Sequence, residues 1–264
     1  MIQKTAFLTL CTVCIFAGEV KAKLFLEEGK VVLAVSGGDR VNKSITVNNT
    51  SVEGSDIRVY WEDFQYKAPY EGTKDFLPSG TLPGSAGSWI TFSPQTFTLP
   101  AFGKQQLVYT INVPAHTEEG HYGVLFFEKS EPGSPDGSGV KVVTRVGCLF
   151  FIEPKDKIKK AVVQDFKLAG QSLTGNFINQ GNVILIPRTT YYIMDGEGLV
   201  TDRGEIKKLY VPPNASAPFE IVLPKGLKTG QYTLVINADL EEGDVIVKET
   251  GLVRDASGRM AIEE

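Results

Sequence analysis

The chain has 264 residues, 42% of them hydrophobic, and 27 basic residues against 31 acidic ones give a net charge of −4 with histidine neutral. That balance leaves no electrostatic case for nucleic acid or an anionic membrane surface as a partner. Only three cysteines occur, which excludes a disulfide-stapled scaffold and makes the fold rest on its apolar core.

Residues 1–22 read as a secretory signal, with Lys4 near the start, an apolar run over 6–17 and Val20-Lys21-Ala22 as a small-residue cleavage site. The apolar run is shorter than the roughly 20 residues that a spanning helix needs, so no transmembrane anchor is expected here. The mature chain then begins near Lys23 and is periplasmic or secreted. Cys11 and Cys14 leave with the signal and Cys148 remains alone, flanked by Val146 and Phe150 in a strand pattern, as a small buried hydrophobe. Without residues 1–22 the count is 25 basic to 30 acidic, a net charge of −5.

The first β-rich run is Val31-Val32-Leu33-Ala34-Val35, closed by the turn signal Ser36-Gly37-Gly38-Asp39. Ser44-Ile45-Thr46-Val47-Asn48 and Ile57-Arg58-Val59-Tyr60-Trp61 follow as alternating strands. Residues 68–88 are rich in Gly, Pro and Ser and predict an irregular connection or short edge strands. Trp89 opens another strand, which Pro94 and Pro100 keep out of a central ladder. Leu107, Tyr109, Ile111 and Val113 then share one face of a strand. Residues 120–154 form a long hairpin, GHYGVLFFEKSEPGSPDGSGVKVVTRVGCLFFIEP, which carries the most apolar stretch of this half. About seven strands with turn signals at short intervals predict an immunoglobulin-like sandwich, with a barrel as the alternative.

Lys155-Asp156-Lys157-Ile158-Lys159-Lys160 is charged, lacks a core pattern and predicts a solvated linker. The second half then repeats the plan. Ile111-Asn112-Val113-Pro114 and Gly120-His121-Tyr122 are echoed by Ile221-Val222-Leu223-Pro224 and Gly230-Gln231-Tyr232. In each case Gly-x-Tyr opens an apolar strand, so Tyr122 and Tyr232 are expected to be structural, each turning its hydroxyl back to a nearby backbone group as a tyrosine corner. Further strands are expected over 162–167, 173–178, 189–194 and 245–252. The organisation expected is a signal at 1–22, immunoglobulin-like domains at 23–156 and 157–255, and a frayed tail at 256–264. The fold class is all-β, with two sandwiches in tandem.

No reaction centre emerges. His116 and His121 bracket Glu118 and Glu119 in a turn, not in a helical His-Glu-x-x-His arrangement. Asp239, Glu241, Glu242 and Asp244 lack the ordered spacing of a calcium loop and read as a hydrated turn. No Gly-rich loop opens a helix, and a nucleophilic triad would need its histidine from that one turn. Neither an enzyme nor a cofactor or metal site is expected. Asn42-Lys43-Ser44, Asn48-Asn49-Thr50, Asn49-Thr50-Ser51 and Asn214-Ala215-Ser216 fit the N-glycosylation pattern, short matches that arise readily by chance.

Residues 131–139 are too polar and too rich in Gly and Pro to pack. They lead into Val140, Val142, Thr144, Val146, Cys148, Phe150 and Ile152 on one strand face, with Val143, Leu149 and Phe151 on the other. If the first part of this strand lies at a sheet edge, burying three or four of its side chains against an extended partner contributes roughly 5 to 10 kcal/mol gross.

The two sandwiches, the segment Trp89-Ile90-x-Phe92-Ser93-Pro94 with Phe97-x-Leu99-Pro100, and the hairpin ending Leu149-Phe150-Phe151-Ile152-Glu153-Pro154 resemble the PapD-like superfamily of periplasmic pilus chaperones. The resemblance implies that the last strand of the first domain donates alternate apolar residues to an exported subunit. Counting back from Pro154 places Val140, Val142 and Thr144 in the donor positions. The family also holds the subunit's terminal carboxylate with a lysine low on this strand and an arginine on the first strand. Here the lysine position falls on Leu149, and the run from 31 to 35 offers no arginine. The sandwich pair also resembles cell-surface proteins that interact with WxL wall proteins. The leading expectation is therefore a non-enzymatic, chaperone-like protein that binds an exported subunit along Val140, Val142, Thr144 and Val146, with Tyr122, Tyr232 and Trp89 in structural roles. A cell-wall binding module is the alternative.

Overall fold

The computed structural model describes residues 24–130 and 143–263. The expected signal, Val140 and Val142 lie outside the described residues. Strands joined by turns make up those residues, and none of them is helical.

The first half contributes β1 (Leu24–Leu26), β2 (Lys30–Val35), β3 (Arg40–Asn49), β4 (Ser55–Tyr66), β5 (Lys74–Pro78), β6 (Ile90–Ser93), β7 (Thr96–Leu99), β8 (Lys104–Asn112), β9 (His121–Ser130) and β10 (Thr144–Pro154). One sheet runs β1-β3-β8-β6. The other runs β2-β10-β9-β4-β5, with β7 also paired to β4. Period-two alternation decides which face is buried, because successive side chains of a strand point to opposite sides of a sheet. Leu107, Tyr109 and Ile111 of β8 meet Ile57, Val59 and Trp61 of β4, Leu125 and Phe127 of β9, and Cys148, Phe150 and Ile152 of β10 in one apolar core. Burial pushes the Cys148 thiol up to about 12. β6 lies at a sheet edge, where Pro94 at its end costs no ladder bond, and Pro100 follows the separate short strand β7.

The second half contributes β11 (Ala161–Ala169), β12 (Ser172–Asn179), β13 (Arg188–Asp195), β14 (Val200–Glu205), β15 (Ser216–Val222), β16 (Gly230–Asp239), β17 (Val245–Arg254) and β18 (Met260–Ile262). Sheets β11-β12-β15 and β14-β13-β16-β17-β18 enclose a second core around Leu173, Phe177, Ile193, Leu234 and Ile236. The tail expected to fray instead returns as β18, which pairs with Leu252, Val253 and Arg254 and lays Met260 and Ile262 against this core.

The echo between the halves extends to a pair of buried asparagines at the ends of β3 and β12. Asn49 accepts the N–H of Ser51 at 2.9 Å and donates to the carbonyls of Glu53 at 2.8 Å and Pro100 at 2.9 Å. Asn179 accepts the N–H of Gly181 at 2.7 Å and donates to Val183 and Val211 at 2.8 Å each. Each amide thus satisfies backbone groups two and four residues on, then ties that turn to a distant loop. With its amide committed and the residue buried, Asn49 is no accessible glycosylation acceptor.

Of the four linker lysines, Lys155 and Lys160 are exposed as expected, whereas Lys157 and Lys159 are tied down. Lys157 is held by Glu242 at 2.8 Å and Glu153 at 3.5 Å, and Lys159 donates to the carbonyls of Leu240 and Glu241. The joint between the halves is an aromatic cluster. Phe64, Tyr66, Tyr122 and Phe151, on the outer face of the six-stranded sheet, pack against Ile184, Ile186 and Tyr210 of the second half. Tyr66 and Tyr210 stack at 4.6 Å, and the N–H of Tyr210 donates to the carbonyl of Tyr70 at 2.7 Å.

Candidate partner-binding edge

The first strand of the chain changes sheets. β1 pairs with β3 in the four-stranded sheet, the backbone crosses at Glu27, Glu28 and Gly29, and β2 then joins β10 in the other sheet. The parallel pairing with β2 runs from Leu149 to Pro154, whereas the antiparallel pairing with β9 runs from Thr144 to Ile152. Residues 144–148 therefore have β9 on one side and, among the described residues, no strand hydrogen-bonded on the other. β1 passes close to this end of β10 but is bonded to β3. Unpaired N–H and C=O groups in a row form a template for another strand.

Along β10 the even positions face the core. Val146 is half-buried against it, Cys148, Phe150 and Ile152 are fully buried, and Thr144 at the start of the strand is exposed. Of the positions named from sequence, the two among the described residues, Thr144 and Val146, thus continue the core face past the end of the core. The odd positions line the outer face, where Phe151 and Leu149 enter the aromatic joint and Arg145 stays half-exposed.

Leu149 stands directly opposite Lys30 in the parallel register. The exposed Lys30 ammonium lies 4.2 Å from the centroid of Phe151. A cation thus stands beside position 149, on the neighbouring strand. A parallel register of this kind leaves no local signal in the sequence. A second cation, Lys74, sits over Tyr66 at 4.9 Å and Tyr210 at 5.9 Å, and burial lowers its pKa.

The three structural residues have different settings. Tyr232 donates its hydroxyl to the carbonyl of Lys228 at 2.8 Å, which is the corner geometry. Tyr122 makes no such local corner. Its ring lies outside the first core, in the joint, and its oxygen accepts the N–H of Ile184 at 2.8 Å. Burial there pushes its pKa well above the usual phenol range. Gly120 makes room for that oxygen, since a Cβ on residue 120 would fall 2.0 Å from it. Trp89 packs partly on the first core with His121 at 4.0 Å from its ring, and burial lowers the pKa of that histidine. Among the described residues no three His, Cys, Asp or Glu side chains gather to hold a metal ion, and no helix is long and apolar enough to cross a membrane.

Two sandwiches, with the first strand shared between the sheets of the first, define a two-domain, immunoglobulin-like all-β fold. Among solved structures the chain is similar to the class 5 fimbriae chaperone CfaA, with a TM-score of 0.53 at 14% identity over 86% of this chain and 98% of that one. It is similar to a chain from a chaperone–tip adhesin complex of CFA/I fimbriae biogenesis, with a TM-score of 0.55 at 14% identity and the same coverage. No protein-family profile matches the sequence. No curated protein matches it either. At such identity the likeness is one of fold.

Proposed function

We propose that the protein is a non-enzymatic, periplasmic chaperone that binds an exported pilus or surface subunit by strand addition along β10, with Val140, Val142, Thr144 and Val146 as the donor residues. The observation that carries this reading is the sheet switch at Glu27, Glu28 and Gly29, which leaves residues 144–148 unpaired on one side while their core-facing alternation continues. The fold it shares with a fimbrial chaperone supports the same reading. Lys30, beside Leu149, is the group we assign to the subunit's terminal carboxylate.

Tagged protein purified from the periplasm of its host tests the proposal. The wild type is expected to carry an exported subunit, and Val142→Asp to lose it with thermal unfolding nearly unchanged, because a carboxylate cannot enter an apolar groove without a large desolvation cost. Equal capture by the variant contradicts the reading. So does pelleting of the purified protein with peptidoglycan in the absence of any subunit, which is the behaviour of a wall-binding module.

A further inference from the structure

Before the point where β2 begins beside Leu149, a second device takes over on the outer face of β10. The Arg145 guanidinium lies 3.9 Å from the centroid of Phe126 on β9 and 5.6 Å from that of Phe76 on β5. It is paired with the Glu62 carboxylate on β4 at 3.2 Å and donates to the Tyr60 hydroxyl at 3.1 Å. Tyr60 in turn donates to Glu128 on β9 at 2.7 Å. The Phe126 ring lies across β10 over Gly147, so closely that a Cβ on residue 147 would fall 2.8 Å from both Phe126 Cε1 and Val124 Cγ2. The bare glycine lets the ring reach over the strand, and the arginine caps it. Side chains of β4, β5 and β9 thus converge on β10 within the stretch that lacks a second neighbouring strand.

We propose that Arg145 is the positioning residue of this edge, holding residues 144–148 extended and in register before any partner arrives. Its use to the protein rests on the function proposed above. An edge ordered in advance lowers the entropy that an incoming strand must offset. The planar guanidinium suits this task, since it stacks on the ring and presents fixed donors to Glu62 and Tyr60 at once. A lysine ammonium cannot do both in the same way.

Hydrogen–deuterium exchange of the full chain without partner tests the assignment. In Arg145→Ala, amide exchange over 144–148 is expected to rise about tenfold or more, because local opening there no longer breaks the side-chain network. Exchange over 149–154 and the thermal midpoint are expected to stay close to wild type, and Arg145→Lys to fall between the two. Glu62→Gln, which keeps shape but removes the ion pair, is expected to move exchange in the same stretch and direction. Unchanged exchange over 144–148, or an equal rise over β9 and residues 149–154, overturns the proposal, the latter because it marks a general loss of stability. The measurement needs no partner, so an error in the assigned partner leaves its result standing.

Discussion

The oxygen of Tyr122 accepts the backbone N–H of Ile184 at 2.8 Å, across the joint between the two halves of the chain and 62 residues along the sequence. Both residues are buried, in a cluster with Phe64, Tyr66 and Phe151. Tyr122→Phe keeps the ring and removes the acceptor, which leaves a buried N–H unsatisfied at a cost of about 1–3 kcal/mol. Chemical denaturation is expected to show this loss, together with raised amide exchange at Ile184. An unchanged midpoint contradicts a bonding role for that oxygen.

Asn49 and Asn179 hold equivalent turns in the two halves. Asn49→Ala and Asn179→Ala each strand buried carbonyls and an N–H, and each is expected to cost about 2 kcal/mol or more in equilibrium unfolding. The donors matter as much as the shape, so Asn179→Asp, which places acceptors against the carbonyls of Val183 and Val211, is expected to be no better than alanine.

The Cys148 thiol is fully buried, and burial pushes it up to about 12. A thiol whose pKa is raised holds its proton until pH approaches that value, and the thiolate is the reactive form. With Cys11 and Cys14 replaced by serine, native protein at pH 8 is expected to resist maleimide labelling, and denatured protein to label fully. Rapid labelling of the native protein contradicts the burial.

Lys30→Ala is expected to weaken subunit capture about tenfold or more if its ammonium holds a terminal carboxylate, given the strength of hydrogen bonds to charged groups. Lys30→Arg is expected to keep most of the affinity. Because Lys30 is exposed, its removal is expected to leave the unfolding midpoint nearly unmoved. Full capture by the alanine variant removes Lys30 from the site.

Strands that bury one face were legible in the sequence because their period is written in it. Leu107, Tyr109, Ile111 and Val113 alternate, and all four are buried on one face of the first sandwich. Tyr232 announced its corner through Gly-x-Tyr, and its partner lies four residues away. The same motif at Tyr122 pointed to the wrong partner, because the second half supplies Ile184 from outside the first sandwich. β1, β14 and β18 are short and carry little apolar–polar alternation in sequence, and β7, although Phe97 and Leu99 alternate with threonines, is only four residues long. The edge was legible as an apolar run only. That it is open depends on where β2 starts, and that Lys30 stands by Leu149 depends on a parallel register. Nothing local singles out Arg145, because its contacts are with Tyr60, Glu62 and Phe126 on other strands.

Site-specific photo-cross-linking tests the central claim most directly. A photoreactive residue at exposed Thr144 on β10 is compared with one at exposed Val222 on β15, a strand edge of the second half. Irradiation of cells making each variant is expected to join the exported subunit to position 144 and not to 222. Cross-linking from 222 with none from 144 contradicts strand addition along β10.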